Sequence, residues 1–127
     1  MKPSVSGFDY IVLVVKDVEK TRLFYESIVG MKSQEERHEK WALHFGNSKI
    51  SLQNVKDVPE IAKATTPGSG NFCLLSKISI QDWVKHLNNF SIPIIAGPGE
   101  RIGAIGKILS VYFYDPDGNL VEISNQL

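Results

Sequence analysis

On either side of the run Thr65-Thr66-Pro67-Gly68-Ser69-Gly70 the sequence passes through the same order of segments: a strand, a helix, then three extended stretches. A repeat of this kind limits the chain to architectures that use one supersecondary unit twice. In the first pass, Tyr10-Ile11-Val12-Leu13-Val14-Val15 is short and β-branched and closes on Lys16-Asp17, which predicts a strand buried on nearly both faces. Asp17 then caps a helix over 18–29, with Phe24 and Ile28 on one face and Gly30 placed to end it. An extended piece over 31–34 leads to a mixed-sign hairpin end over 35–40, and strands over 41–45 and 49–54 flank the turn Gly46-Asn47-Ser48. In the second pass a strand over 71–75 precedes a helix over about 80–90. Ser79 caps that helix, and Ile80, Trp83, Val84 and Leu87 fall at i, i+3, i+4 and i+7. An extended piece over 93–96, a glycine-bearing loop, and strands over 109–114 and 120–124 complete it. The expected organisation is one α+β domain over 1–127, with modules about 8–54 and 71–125 joined by a loop over 55–70.

The chain has 127 residues, 43% of them hydrophobic and 22% charged, which suits a single globular core and excludes disordered or fibrous classes. Fourteen basic residues balance fourteen acidic ones, so no nucleic-acid or anionic-membrane footprint is expected. The longest apolar run, 10–15, is far below the roughly 18 to 20 residues of a membrane span, and no signal-peptide pattern precedes it. A cytoplasmic location is expected. Cys73 has no partner for an internal disulfide and is expected as a buried, reduced thiol.

Strand alternation sorts the polar residues. Ser51, Gln53, Glu122 and Ser124 leave the face opposite Ile50, Leu52, Val121 and Ile123, and the apolar set is expected under the helices. Laying 46–52 against 116–123 puts Ser51 over Glu122 and Tyr10 over Asn71. Glu122, on the uncovered face, reads as a metal ligand or proton acceptor, or as a solvated strand residue. His44 shares the open face with Ala42, either as a ligand or as a partly exposed strand histidine; His38 and His86 are expected in solvent. Arg101, in the glycine-bearing loop, reads as an anion contact or as the partner of Glu100. Tyr112 and Tyr114 alternate with Val111 and Phe113 and are expected to stack on or hydrogen-bond a ligand, or merely to line a cavity.

Three stretches carry a family resemblance: 10–18, then Phe24-Tyr25 with Val29-Gly30-Met31-Lys32, and Val111 through Asp115-Pro116-Asp117-Gly118-Asn119 to Glu122. Together they resemble the vicinal oxygen chelate superfamily of glyoxalase I, bleomycin-resistance proteins, fosfomycin-resistance enzymes and extradiol dioxygenases. Gly97-Pro98 with Arg101, Gly103, Ala104 and Gly106 is similar to glyoxalase-like bacterial members. The resemblance implies two tandem βαβββ modules whose curved mixed sheets enclose a cleft, a homodimer, and a divalent metal held by one ligand from each of four strands. Those four positions fall on Tyr10, Ser51, Asn71 and Glu122, and only Glu122 keeps the family's ligand type. One carboxylate with neutral oxygens suits no zinc, nickel or iron site, and Gln53 adds no charge. The resemblance with this departure implies a protein with a degenerate metal site, binding a small molecule through Tyr10, His44, Ser51, Gln53, Asn71, Arg101, Tyr112 and Tyr114, with no cofactor. The alternative is a divalent-metal-dependent lyase or dioxygenase in which Glu122 is metal ligand or general base and His44, Gln53 or water completes the site.

Overall fold

Period-2 burial builds two separate sheets. The computed structural model describes residues 2–57 and 62–127 and divides into two compact units, Met1–Thr65 and Thr66–Leu127. The middle of the expected loop over 55–70 lies outside the described residues at 58–61; a short 3-10 turn, Val55–Asp57, opens it. No helix among the described residues is long and apolar enough to cross a membrane.

The first unit runs β1 (Tyr10–Val15), α1 (Val18–Phe24), β2 (Lys32–Arg37), β3 (Lys40–Phe45) and β4 (Ser48–Asn54), in sheet order β1-β4-β3-β2. β1 lies parallel to β4 because the α1 crossover lies between them, whereas tight turns join β2 to β3 and β3 to β4, which pair antiparallel. The core face carries Leu13, Val15, Leu43, Ile50 and Leu52, all buried. The expectation that β1 is buried on nearly both faces fails for its first half, where Tyr10 is 52% and Val12 53% exposed on an edge strand, and holds for the second half, where Leu13, Val14 and Val15 are buried.

The helix over 18–29 also departs from expectation. Asp17 caps α1 by accepting from the Lys20 amide at 3.0 Å, but from Tyr25 to Val29 the coil widens to a π-helix ended by Gly30 in the left-handed region (φ 79°). The buried stripe is Thr21, Tyr25 and Ile28 rather than Phe24 and Ile28. That i, i+4, i+7 spacing turns Tyr25 inward and leaves Phe24 half-buried against the Tyr25 ring edge, 5.4 Å between centroids.

The second unit repeats the plan with β5 (Asn71–Leu75), α2 (Ile80–Asn89), β6 (Ala96–Ile102), β7 (Lys107–Tyr114) and β8 (Leu120–Gln126), ordered β5-β8-β7-β6. Ser79 caps α2 by accepting from the Asp82 amide, and Ile80 and Leu87 are fully buried against a core of Val111, Phe113, Val121 and Ile123. His86 is not a solvent residue as expected; its ring lies half-buried between Trp83 and Phe90, 5.6 and 4.9 Å away. The glycine-bearing loop is likewise corrected. Residues 96–102 form β6, paired antiparallel with β7, with a register shift between Ala96 and Gly99 that contains the cis Gly97–Pro98 bond. Glycine reads as loop in isolation, yet an edge strand accepts it where close approach is needed: a Cβ at Gly97 would collide with the Ser110 carbonyl.

Candidate functional site

The open face of the second sheet is set by the pairing of β8 with its neighbours. Glu122 lies opposite Cys73 on β5 and Tyr112 on β7, and Ser124 lies opposite Leu75 and Ser110. The family-like turn that leads into β8 is a clasp. Asp115 Oδ1 accepts from the amides of Asp117 and Asn119, both at 2.9 Å, and its Oδ2 accepts from Asn119 Nδ2 at 2.8 Å. Asn119 Oδ1 in turn accepts from the Gly70 amide at 2.7 Å, and the Leu120 amide donates to the Gly70 carbonyl at 2.9 Å. These bonds tie the start of β8 to the start of β5, so the residues most typical of the family pattern are scaffolding that fixes the register at which Glu122 emerges.

Glu122 enters a concavity of about 530 Å³ with an apolar wall of Leu75, Ile102, Ala104, Ile105 and Ile108 and polar groups from Cys73, Arg101, Tyr112 and Gln126. Beneath it runs a hydroxyl ladder: Ser124 Oγ meets Ser110 Oγ at 2.6 Å and Cys73 Sγ at 3.1 Å, and points to Glu122 Oε2 at 3.4 Å. Ser110 and Ser124 are fully buried, so these contacts replace the water both hydroxyls gave up. Cys73 is exposed, which corrects the expected burial; strand alternation puts it on the same face as Glu122. Its neighbours desolvate the thiol and push its pKa up, and the Glu122 charge adds to this against the Ser124 hydrogen bond, so the thiol stays protonated at neutral pH. The Tyr112 phenol is raised as well, first by burial and then by its hydrogen bond to Glu122 and that residue's charge, with Arg101 acting the other way. Arg101 lies 5.5 Å from the Tyr112 ring centre and donates to the Glu100 carbonyl oxygen at 2.8 Å. It stands on β6 rather than in a loop, and its bond is to the Glu100 backbone, not its carboxylate. Asn71, at the exposed start of β5, and Tyr114, half exposed at the end of β7, share the face but do not line the concavity.

The first sheet's open face holds the other expected residues. Tyr10 and Lys49 pair in register, as do Val12 and Ser51, Val14 and Gln53, and His44 and Lys49. Tyr10, Ser51 and Gln53 line a concavity of about 370 Å³ with Glu36, Arg37, Lys40 and Lys49. Gln53 donates its amide to the Asp57 carbonyl at 3.1 Å. His44 faces this side as alternation requires and meets Glu36 at 3.3 Å, while Lys49 Nζ donates to both Glu36 oxygens at 2.8 and 3.0 Å. The Lys49 hydrogen bond, ahead of the other contacts, holds the Glu36 carboxyl below its usual range. Lys49 also lies 5.0 Å over the Tyr10 ring.

Tested as a metal centre, the donor set does not fit. Tyr10 and Ser51 bring only neutral oxygens to one sheet, Asn71 and Glu122 an amide and one carboxylate to the other, and no group of three or more His, Cys, Asp or Glu among the described residues is arranged to hold an ion. Two features escaped sequence reading. The Cys73–Ser124–Ser110 ladder is visible as strand alternation once the β5–β8 register is known, and the Glu36–Lys49 pair bridges strands that only the fold brings together.

A family model described as a glyoxalase-like domain matches residues 8–127. Virulence protein STM3117 of Salmonella typhimurium is 40% identical over 121 residues, 94% of this chain and 84% of that protein. Its crystal structure gives a TM-score of 0.95 at 37% identity, covering 98% of this chain and 100% of that one. Glyoxalase domain-containing protein RDO1 of Mycosarcoma maydis is 40% identical over 123 residues, 96% of this chain and 69% of its own. At the level of fold alone, lactoylglutathione lyase from Agrobacterium tumefaciens is similar with a TM-score of 0.75 at 19% identity, covering 96% and 95% of the two chains.

Proposed function

The chain belongs to the glyoxalase-like domain family, and from that premise we propose that it is a small-molecule-binding member whose ligand is held on the open face of the second sheet without a metal chelate. The observation that carries this reading is the setting of Glu122: a lone carboxylate at the floor of an apolar concavity, flanked by Tyr112 and Arg101 rather than by imidazoles. Such a lining suits a largely apolar ligand with a hydrogen-bond donor for Glu122 and a planar or anionic part for Arg101 and Tyr112. Fold likeness to a lyase does not carry its chemistry across, because activity resides in the site and not in the scaffold. A homodimer belongs to the same proposal and is checked by sedimentation.

The test begins with untagged protein dialysed against trace metals and then buffer. Retention of no metal, together with a thermal-shift hit among small aromatic and anionic compounds that weakens in Glu122→Gln, supports the proposal. One equivalent of nickel, zinc, manganese or iron per chain, with turnover of a hemithioacetal or catechol that Glu122→Gln abolishes, overturns it in favour of the metal-dependent lyase or dioxygenase.

A further inference from the structure

The open face of the first sheet carries an imbalance of charge that no ion pair among the described residues resolves. Arg37 and Lys40 are directly opposed across the end of the β2–β3 hairpin, a like-charge cross-strand pair that disfavours the hairpin. Neither forms an ion pair or side-chain hydrogen bond among the described residues, although Glu36 stands next to Arg37 in sequence. Glu36 is already engaged by Lys49 and His44, and its carboxyl stands below its usual range through the Lys49 bond. The concavity these residues line therefore holds three permanent cations, Arg37, Lys40 and Lys49, against one acid, Glu36, a net of two positive charges. Its remaining wall includes Tyr10, and the hydroxyl of Ser51, which has no hydrogen-bond partner among the described residues, adds a free donor.

We propose that this concavity binds a dianionic oxyanion, a phosphomonoester, through Arg37 and Lys40, with Lys49 and the Ser51 hydroxyl completing the set. A phosphate at neutral pH carries nearly two negative charges and three acceptor oxygens, which match two unneutralised cations and a hydroxyl. A monocarboxylate leaves one cation unmatched. The guanidinium of Arg37 gives a two-pronged grip on two oxygens, and Lys40 supplies a point charge across the hairpin. At about 370 Å³ the space admits a phosphate with a small organic body beside the Tyr10 ring. This inference goes beyond ligand binding at Glu122 and uses none of that site's residues.

Calorimetric titration of the full chain with phenyl phosphate, inorganic phosphate and benzoate tests it. Phenyl phosphate binds saturably, benzoate binds at least about tenfold more weakly, and the double variant Arg37→Gln with Lys40→Gln weakens phenyl phosphate by at least about tenfold. Both side chains are exposed, so the variant folds, and relief of the opposed charges leaves its ligand-free melting temperature at or above the parent's. Tighter binding of phenyl phosphate than of inorganic phosphate identifies an ester as the ligand, and equal affinity identifies the free anion at the same site. Absence of saturable binding by either phosphate, benzoate binding as tightly as phenyl phosphate, or equal binding to parent and double variant overturns the proposal.

Discussion

The Glu122 charge adds to what desolvation already does to the protonation of its neighbours. Both Tyr112 and Cys73 are held in their protonated forms, each first by burial and then with the Glu122 carboxylate adding to the effect. For Tyr112 the folded-state pKa lies above the unfolded value near 10, so its contribution to stability is fully present below pH 10 and is lost as pH rises through the folded value. Glu122→Gln removes the charge while keeping a hydrogen-bond acceptor, so the Tyr112 phenol is expected to titrate closer to 10 in the variant. Ring-labelled tyrosine NMR across alkaline pH reads this directly, with Tyr112→Phe assigning the signal; unchanged titration in Glu122→Gln would show that the carboxylate does not reach the phenol. The position and face of Glu122 were legible in the sequence, because period-2 alternation between Val121 and Ile123 requires them. The exposure of Cys73 was not. An apolar run such as 72–75 looks buried throughout until the sheet shows that alternate residues on β5 have no covering layer.

Elements differ in what their caps and turns contribute. At the end of the first helical segment Gly30 takes φ 79° with nothing within 4 Å of an added Cβ, so Gly30→Ala costs only the left-handed backbone term, about 1 kcal/mol. In the clasp before β8, Asn119→Ala removes two side-chain hydrogen bonds from a position 1% exposed, taking the side-chain acceptor from the Gly70 amide and one donor from the Asp115 carboxylate, for a cost of about 3 kcal/mol. Urea unfolding of the two variants is expected to rank them in that order, and equal losses would show that the clasp is not a load on the fold. The order of segments in both halves and the ends of β1, β5 and α2 follow from sequence pattern because caps and short β-branched runs are local signals. The π-helix and β6 do not. The first depends on which of Phe24 and Tyr25 the core accepts, and the second on β7 offering a ladder to a glycine-rich segment, and both are decided by tertiary partners.

For the molecule as a whole, the duplicated plan poses a question that its two sheets answer separately. Each unit offers its open face at matching register positions: Tyr10 and Ser51 on one, Asn71 and Glu122 on the other. A repeat that served a four-ligand metal would show charge or imidazole at most of these positions, and here three of the four are neutral oxygen donors. On the first sheet a cation, Lys49, stands in register with Tyr10 and lies over its ring. Stability is then expected to be independent of divalent metal. An ion bound to the native state at a hundred times its dissociation constant would stabilise the fold by about 2.7 kcal/mol, which a domain of this size shows as a melting shift of several degrees. Scanning calorimetry of the full chain before and after exhaustive chelation, and again with zinc, nickel, manganese or ferrous iron restored, is expected to give coincident transitions. A reversible rise of several degrees on adding one of these ions would mean that residues other than the four family positions complete a metal site, with Glu122→Gln the variant that decides whether this carboxylate is among its ligands.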